Sequence, residues 1–314
     1  MTAPTSTNPS VTVVGSLNTD FTVRVERLPK PGETLCVPDA VMSFGGKGAN
    51  QAVQLARLGL PVTFVGAVGA DERGREYVDR LKLLGMQMHV ARIDGVATGL
   101  GFVHCMPDGT VSSTVIAGAN ARVTAAMIDE ALAEAPRPAL ILTQNEVPTD
   151  AVVAAGRWAR RHQVLAVLNA APHVPNGDAL LGLFDYFIVN EEEALGYAGR
   201  YRAPQDVAAW LGLAEGLRRI APNVVITLGA QGAVYAGPGG VLVVPARRVD
   251  AVDTTGAGDS FVGTLCAALA RDETIEPALE YAARAGAMTT LGVGAQESMP
   301  EAGQVFGSAA AGSD

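Results

Sequence analysis

The strongest constraint on the fold is the alternation of short apolar runs with longer segments of helical period. Apolar runs bounded by Gly, Pro or polar residues predict buried strands over residues 11–15, 62–68, 140–143, 164–168, 186–189 and 224–228. Between them, apolar residues recur every three or four positions and predict helices over residues 49–58, 72–84, 150–161 and 204–219. This alternation favours an α/β fold, with a mostly parallel central sheet that has helices on both faces.

Two stretches depart from this rhythm, residues 20–44 and 99–116, because polar and apolar residues alternate there without a helical period. Such alternation is typical of exposed antiparallel strands. Since neither stretch can bury much surface alone, we predict that segments over about 18–44 and 97–118 form a small antiparallel β lid. The α/β domain would then span residues 10–305, followed by a disordered tail over 306–314.

Composition restricts the classes of function. The 314 residues include 23 Lys and Arg against 32 Asp and Glu, a net charge of −9, and we find no basic stripe for nucleic acid. Cys36, Cys105 and Cys266 form no CxxC pair, which argues against disulfides or a zinc cluster and predicts a cytoplasmic protein. No apolar run approaches the roughly 18 residues of a membrane span, and the N-terminus lacks signal-peptide features, so we expect no membrane partner.

The most informative stretch, residues 250–263, reads DAVDTTGAGDSFVG. A helix predicted over residues 260–270 is preceded by three residues with little or no side chain, Gly256, Ala257 and Gly258. Backbone N–H groups at such a helix start form an anion-binding concavity, and the helix dipole favours a phosphate there. Asp259 lies beside that concavity, which predicts a general base next to a transferring phosphoryl group. The alternative is an ordinary N-cap aspartate.

A second glycine-rich stretch, GGKGAN at residues 45–50, opens a predicted helix directly after the first lid segment. It is not a P-loop, because no Ser or Thr follows its lysine. Its glycines let the backbone approach a ligand closely, while Lys47 and Asn50 can hydrogen-bond to hydroxyls. Asn18 and Asp20 follow the first predicted strand, where an amide and a carboxylate fit a polyol site, although alone they would be turn residues.

These motifs together closely resemble those of the ribokinase-like (PfkB) sugar kinases, from about residue 11 to residue 300. Further matching segments follow in the family's order at residues 117–120, 144–146, 190–193, 227–229 and 294–298. Each segment alone is weakly specific, whereas the ordered set is strong. The resemblance implies ATP-dependent phosphoryl transfer to a sugar hydroxyl.

The resemblance also implies roles for residues at matching positions. The sugar would be bound by Asn18, Asp20, Gly46, Lys47, Asn50, Glu146 and Asp259. Asp259 would deprotonate the attacking hydroxyl, and the transferring phosphoryl group would be held by Gly256, Ala257 and Gly258. The nucleotide would contact Asn190, Thr227, Gly229 and Gly258, with Mg²⁺ organised through water by Glu193. An activating K⁺ would be bound, mostly through backbone carbonyls, by Asp253, Thr255, Thr289, Gly294 and Ser298.

The leading prediction is a kinase that transfers the ATP γ-phosphoryl group to the 5-hydroxyl of D-ribose. Deoxyribose, fructose and adenosine are alternative substrates, because specificity rests on lid residues that discriminate a methyl or a hydroxyl group. An NAD-linked oxidoreductase would need GxGxxG after the first strand, whereas residues 15–18 read GSLN. A non-catalytic sugar-sensing relative would share the fold, but the presence of both Asp259 and the small-residue turn argues against it.

The lid also leads to a prediction about assembly. Its sequence is too apolar for two solvent-exposed faces, the apolar residues being Phe21, Val23, Val25, Leu35, Val37, Val41, Phe102 and Val103. In ribokinase-like proteins the lids clasp each other across a two-fold axis, so the resemblance implies a homodimer formed lid to lid. We predict that a charged residue in place of Val23 or Val103 yields monomers.

Overall fold

The computed structural model describes residues 8–107, 111–175 and 177–307. Its strands are β1 (Val11–Val14), β2 (Asn18–Arg24), β3 (Val41–Gly45), β4 (Val62–Gly69), β5 (Gln87–Ile93), β6 (Gly99–Cys105), β7 (Val111–Ile116), β8 (Leu140–Gln144), β9 (Leu165–Asn169), β10 (Tyr186–Asn190), β11 (Asn223–Thr227), β12 (Ala233–Gly237) and β13 (Gly240–Val244). Its helices are α1 (Lys47–Arg57), α2 (Glu72–Leu83), α3 (Ala125–Glu134), α4 (Thr149–His162), α5 (Glu191–Ala198), α6 (Val207–Leu217), α7 (Ala257–Ala270), α8 (Ile275–Thr289) and α9 (Ala302–Phe306). Residues 308–314, most of the predicted tail, lie outside the described residues.

The main sheet of the described chain has nine strands in the order β13-β12-β11-β10-β9-β8-β1-β4-β5. All pairings from β11 to β5 in that order are parallel, and β12 and β13 add two antiparallel pairings at one edge. The predicted mostly parallel sheet is confirmed. Strands β5, β12 and β13 were not predicted, since β5 is only half-buried and β12 and β13 form a short hairpin.

Helices cover both faces of this sheet. Along β1, Val11 and Val13 pack into a core with α1, α2, α7 and α8, whereas Val14 packs into a second core with α3, α4, α5 and α6. Strand β4 is buried along its whole length. This double burial explains why the central strands read as continuous apolar runs, and it makes the carboxyl edge of the sheet a rigid platform.

The lid is a four-stranded sheet in the order β3-β2-β6-β7. Its β2–β3 and β6–β7 pairings are antiparallel as predicted, but β2 and β6 are parallel. The reason is topological, because β2 follows β1 and β6 follows β5, and β1 and β5 run in the same direction in the main sheet. Val25 and Val103, two apolar lid residues expected to need a partner, are already buried within the chain.

The chain reverses its direction of winding at β1, which has β4 on one side and β8 on the other. In open α/β sheets, ligands bind outside the carboxyl ends of the strands at such a switch point. Helices α1 and α7 both begin close to this point, and the lid extends directly from β1. Among the described residues, no helix combines the length and the apolar character needed to cross a membrane.

Candidate active site

Two helices start at the carboxyl edge of the sheet with a glycine in the left-handed region. Gly46 precedes α1 with φ 90°, and Gly256 precedes α7 with φ 79°. A Cβ atom at Gly256 would lie 2.8 Å from the Cα atom of Ala295, and one at Gly46 would lie 2.9 Å from the backbone nitrogen of Asn18. Both the dihedral angle and the lack of space therefore require glycine.

A cavity of about 140 Å³ lies between these helix starts. It is lined by Lys47, Asn169, Ala171, Ile188, Val189, Asn190, Glu193, Thr227, Gly256, Gly258, Asp259 and Val262. Most of the residues predicted to contact phosphate and nucleotide are in this set. Ala257 and Gly229 are not, although Ala257 opens α7 and Gly229 follows β11 by two residues.

The carboxylate of Asp259 is buried and its direction is fixed by two amides. Asn50 Nδ2 donates to Oδ2 at 2.9 Å, and Gln51 Nε2 donates to Oδ1 at 2.9 Å. Because Gly256 is the N-cap of α7 and no side chain caps that helix, the N-cap interpretation of Asp259 is wrong. Asn50 Oδ1 accepts a hydrogen bond from Gln296 Nε2 at 3.0 Å, so Asn50 keeps one N–H for a ligand.

Glu146 and Asn18 are anchored at the switch point. Glu146 Oε2 accepts hydrogen bonds from Ser16 Oγ at 2.5 Å and from the backbone N–H of Lys47 at 3.0 Å. Asn18 Oδ1 accepts one from Asn120 Nδ2 at 2.8 Å, and Asn120 also forms two hydrogen bonds with the backbone of Leu17. The Asn18 amide group is therefore oriented to act as a donor.

Asp20 lies on β2 in a space left by two glycines of neighbouring strands. A Cβ atom at Gly45 would lie 1.8 Å from Asp20 Oδ2, and one at Gly101 would lie 2.2 Å from Oδ1. Burial, together with the nearby carboxylates of Glu146 and Asp259, raises the pKa of Asp20 to about 7. Lys47 opposes this shift only in part.

The amine of Lys47 lies among the carboxylates of the site. Burial alone would lower its pKa, but the negative charges of Asp259, Glu146, Glu193 and Asp20 raise the pKa above its usual value. The amine therefore stays charged at neutral pH. A buried cation surrounded by carboxylates and bordering a cavity is suited to a ligand with both hydroxyl and phosphate groups.

Asn190 and Glu193 form a capping box at the start of α5. Asn190 Oδ1 accepts from the N–H of Glu193 at 2.9 Å, and Glu193 Oε2 accepts from the N–H of Asn190 at 2.9 Å. Burial raises the pKa of Glu193, although Lys47 acts in the opposite direction. Because the box uses Oε2, the second carboxylate oxygen is left for a cation or its water.

The loops predicted to bind K⁺ cross next to the start of α7. Asp253 accepts hydrogen bonds from the N–H groups of Thr255 at 2.9 Å and Gly294 at 3.0 Å. Burial would raise the pKa of Asp253, but these hydrogen bonds hold it below its usual range. The hydroxyl of Thr289 donates to the Ala285 carbonyl, and that of Ser298 donates to the Val293 carbonyl. A cation bound here would therefore be ligated by backbone carbonyl oxygens and by the lone pairs left on the Thr289 and Ser298 hydroxyl oxygens.

Sequence reasoning named Asn50 but missed Gln51, the second amide that holds the Asp259 carboxylate. Gln51 is fully buried behind the carboxylate, and it contacts Gln144 and Asn169 at the ends of β8 and β9. The sequence contained a signal for Asn169, because it directly follows the predicted strand over residues 164–168. For Gln51 the signal was weaker, since a glutamine inside a predicted helix is most often solvent-exposed.

The parallel sheet, the paired helix starts and the buried carboxylate define the class of the protein as an α/β fold with a polar cleft at the carboxyl edge of its sheet. The chain matches the model of the pfkB family carbohydrate kinases over residues 8–302, and it belongs to that family. It is 32% identical over 292 residues to the ribokinase of Haemophilus influenzae. The aligned region covers 93% of this chain and 95% of the relative.

Solved structures agree with this assignment. The ribokinase of Giardia lamblia superimposes with a TM-score of 0.85 at 26% identity, covering 96% of this chain and 98% of the other. The ribokinase of Arabidopsis thaliana, solved in complex with ribose and ATP, gives a TM-score of 0.83 at 27% identity, with coverage of 96% and 98%. The family predicted from the sequence motifs is thus confirmed.

Proposed function

We propose that the protein is an ATP-dependent ribokinase that transfers the γ-phosphoryl group of ATP to the 5-hydroxyl of D-ribose. The observation that carries the proposal is the buried Asp259 carboxylate, which lines one cavity together with Gly256 and Gly258. A carboxylate beside an anion-binding helix start suits a reaction in which a hydroxyl loses its proton as a phosphoryl group arrives. The relatives described above, which are ribokinases, support ribose as the acceptor.

In the proposed step, a carboxylate oxygen of Asp259 accepts the proton of the 5-hydroxyl group. The hydroxyl oxygen forms a bond to the γ-phosphorus, while the bond from that phosphorus to the bridging oxygen breaks and ADP leaves with the electron pair. The N–H groups at the start of α7, residues 256–258, face the negative charge on the transferring group. The charged amine of Lys47 lines the same cavity and favours the same charge.

The remaining hydroxyls of the sugar would be held by the residues anchored at the switch point. Asn18 and Asn50 each offer an amide donor, and Asp20 and Glu146 offer carboxylate oxygens. A set of donors and acceptors in this arrangement suits a polyol, whose hydroxyls both donate and accept. Asn190, Thr227 and Gly229 lie on the β10 and β11 side of the cleft, where the nucleotide would bind.

Metal ions are part of the proposal. The carboxylate of Glu193 fits a hydrated Mg²⁺, which prefers few protein oxygens and would offset the charge of the triphosphate. The oxygen-rich loops at residues 253–255 and 289–298 fit K⁺, because Asp253 accepts hydrogen bonds from the N–H groups of Thr255 and Gly294 and so holds the two loops together beside α7. In the part of the chain that the structure describes, no cluster of three or more His, Cys, Asp or Glu side chains suggests a transition-metal site.

A homodimer formed through the lid and an intracellular location complete the proposal. The lid leaves apolar side chains exposed on three of its strands, namely Val41, Met42, Phe102, Val111, Val115 and Ile116. By register, Val41, Val111 and Val115 share the face that carries Asp20, and a second copy of the chain on that face would remove them from water and close the cleft. The three free cysteines are consistent with a reducing compartment.

A substrate panel tests the proposed function. ATP consumption is measured with ribose, deoxyribose, fructose and adenosine, in the presence of Mg²⁺ and K⁺. We expect the highest kcat/KM for ribose, because Asn18, Asn50 and Glu146 offer donors and acceptors to sugar hydroxyls, and a missing hydroxyl would leave one of these buried groups unpaired. A higher kcat/KM for deoxyribose or for adenosine would replace ribose as the substrate while leaving the kinase chemistry intact.

A further inference from the structure

Gln51 is a fully buried glutamine in the second turn of α1, behind the cavity rather than in its lining. Its Nε2 atom donates to Asp259 Oδ1 at 2.9 Å and to Asn169 Oδ1 at 2.8 Å. Its Oε1 atom accepts from Gln144 Nε2 at 2.7 Å. Both N–H groups and the carbonyl oxygen of this amide are therefore engaged.

The direction of this amide is fixed by the backbone. Asn169 Nδ2 donates to the carbonyl oxygen of Ile188 at 3.1 Å, and a carbonyl oxygen can only accept. Asn169 must therefore turn its own oxygen toward Gln51, which must turn its amide nitrogen toward Asn169 and Asp259. The orientation of the Gln51 amide thus follows from the register of β9 and β10, in which Asn169 lies opposite Ile188.

We propose that Gln51 is a positioning residue for the catalytic carboxylate, supported in that role by Gln144 and Asn169. Asn50 and Gln51 each hold one oxygen of Asp259, so the plane of the carboxylate is set before substrate binds. With Asn50 alone, the carboxylate could rotate about its terminal torsion, which is intrinsically broad. This inference rests on the proposed function, since only a phosphoryl transfer to a hydroxyl gives Asp259 the role of a base.

Charge alone does not supply this orientation. Among the described residues, the charged groups of Lys47, Asp20 and Glu193 interact with Asp259 through space from other elements, without a hydrogen bond to its carboxylate. Among the described residues, the side-chain hydrogen bonds to the Asp259 carboxylate come from Asn50 and Gln51. Because a displacement of about 1 Å at a reacting group can cost roughly 100-fold in rate, loss of one of two anchors should lower kcat strongly.

The test compares Gln51→Met with Gln54→Met. Gln54 lies one turn further along α1, is equally buried, and hydrogen-bonds to Ser260 and to the Pro300 carbonyl rather than to Asp259. Both changes remove a buried amide from the same helix, so thermal unfolding should show similar losses of stability. We expect kcat with ribose to fall about 10- to 100-fold in Gln51→Met and to change less than about threefold in Gln54→Met.

The separation of binding from turnover is the decisive readout. Ribose affinity, measured by calorimetry, should stay within about threefold of the unmodified protein in Gln51→Met, because Gln51 is fully buried and does not line the cavity. An unchanged kcat in Gln51→Met overturns the inference. An equal loss of kcat in both variants also overturns it, since the effect would then come from general loosening of α1.

A third variant keeps the inference testable if Gln51→Met does not fold. Gln144→Met leaves Gln51 in place but removes the donor that holds its oxygen, so we expect a smaller loss of kcat with ribose affinity retained. Wild-type kcat in a folded Gln144→Met would then overturn the inference. If the unmodified protein phosphorylates no sugar, the proposed function fails first and the role of Gln51 fails with it.

Discussion

The carboxyl edge of the central sheet and the lid each contribute part of the site, but they hold it differently. At the sheet edge, the side chains around Asp259 are buried and bonded to one another through amides from α1, β8 and β9. On the lid, Asp20 has only the space between two glycines, and the outer strands expose apolar side chains. The sheet edge is therefore organised before a ligand arrives, whereas the lid is incomplete without one.

The transition between the two regions takes place along β2. Asn18, at the start of the strand, is nearly fully buried and is anchored by Asn120. Two residues further on, the carboxyl group of Asp20 has its pKa raised to about 7, because burial and two neighbouring carboxylates oppose its charge. The energetic cost of a carboxylate without hydrogen-bond partners therefore falls on the lid side of the site, where substrate hydroxyls can supply the missing partners.

The largest expected effect concerns the sheet edge. Asp259→Asn should lower kcat roughly 100- to 10,000-fold, because an amide cannot accept the hydroxyl proton. Ribose and ATP should still bind, since asparagine has nearly the same shape. The matched control is Asp272→Asn, which changes an exposed aspartate just past the other end of α7. Steady-state kinetics together with calorimetric titrations check the result, and a near-normal kcat in Asp259→Asn excludes it as the base.

The sheet edge was largely predictable from sequence because its chemistry coincides with local signals. Gly256 is needed by the geometry of one helix start. The polar residue that ends an apolar run falls on the carboxyl edge of a parallel sheet. These signals lie within a few consecutive residues. The partners of Asp259 are different, since Asn50 and Gln51 are separated from it by more than 200 residues and meet it only after folding.

The lid was predictable only in outline. Alternating polarity indicates strands and their faces, but it does not give the direction in which two distant strands pair, so the parallel β2–β6 pairing was missed. It also does not distinguish an apolar side chain that the chain buries itself from one that it leaves exposed. Val103 and Phe102 are adjacent in sequence, yet the first is 7% exposed and the second 40%.

The second prediction moves to the lid and concerns Asp20. Asp20→Asn should weaken ribose binding about 10- to 100-fold at pH 8, because hydrogen bonds to an ionised carboxylate are lost. For the unmodified protein, ribose affinity should increase as the pH rises through about 7, where Asp20 loses its proton. Calorimetric titrations between pH 6 and pH 8 check both statements, with Asp94→Asn at an exposed turn as the control.

The same variant has a consequence for stability. The pKa of Asp20 is raised from 3.8 to about 7 in the folded protein, so over that interval the folded state keeps a proton that the unfolded state releases. The contribution of Asp20 to the free energy of unfolding therefore falls as pH rises through the interval, and it stays unfavourable above it. Asp20→Asn should raise the free energy of unfolding by about 1 to 3 kcal/mol at pH 8 without ligand. If denaturant titrations show that Asp20→Asn lowers the free energy of unfolding at pH 8, the ionised Asp20 carboxylate does not destabilise the folded protein.

The third prediction concerns the loops where sheet edge and lid approach each other. The Asp253 carboxylate interacts electrostatically with Arg24 at the end of β2. Its hydrogen bond with Gly294 holds the loop of residues 292–294 against the segment that precedes α7. K⁺ bound there should activate by ordering the anion-binding turn, raising kcat about tenfold over choline at equal ionic strength. The comparison is repeated in Na⁺ to separate a site of defined size from a general salt effect. Equal rates in all three salts would exclude a K⁺ site.

The smallest effect on turnover is expected from the outer half of the lid, and there the two faces of one strand can be compared. Val115 and Ile116 are neighbours on β7 and are exposed by 45% and 51%. By register, Val115 shares a face with Gly101 and Asp20, whereas Ile116 shares the other face with Leu100. That other face is partly covered by α2, whose Arg73 and Arg80 lie over the rings of Phe21 and Phe44.

The face that carries Asp20 is therefore the one left for a second copy of the chain. We expect the unmodified protein to have a mass near twice 32.3 kDa in light scattering, and Val115→Lys to yield monomers, because a charge buried without a partner opposes association. Ile116→Lys should remain dimeric. In Val115→Lys the KM for ribose should rise severalfold while kcat changes little, since Asp259 and its amides lie on the sheet edge and do not depend on the lid contact. If Ile116→Lys dissociates the dimer and Val115→Lys does not, the two chains meet through the opposite faces of their lids, and closure over the sugar must come from within a single chain.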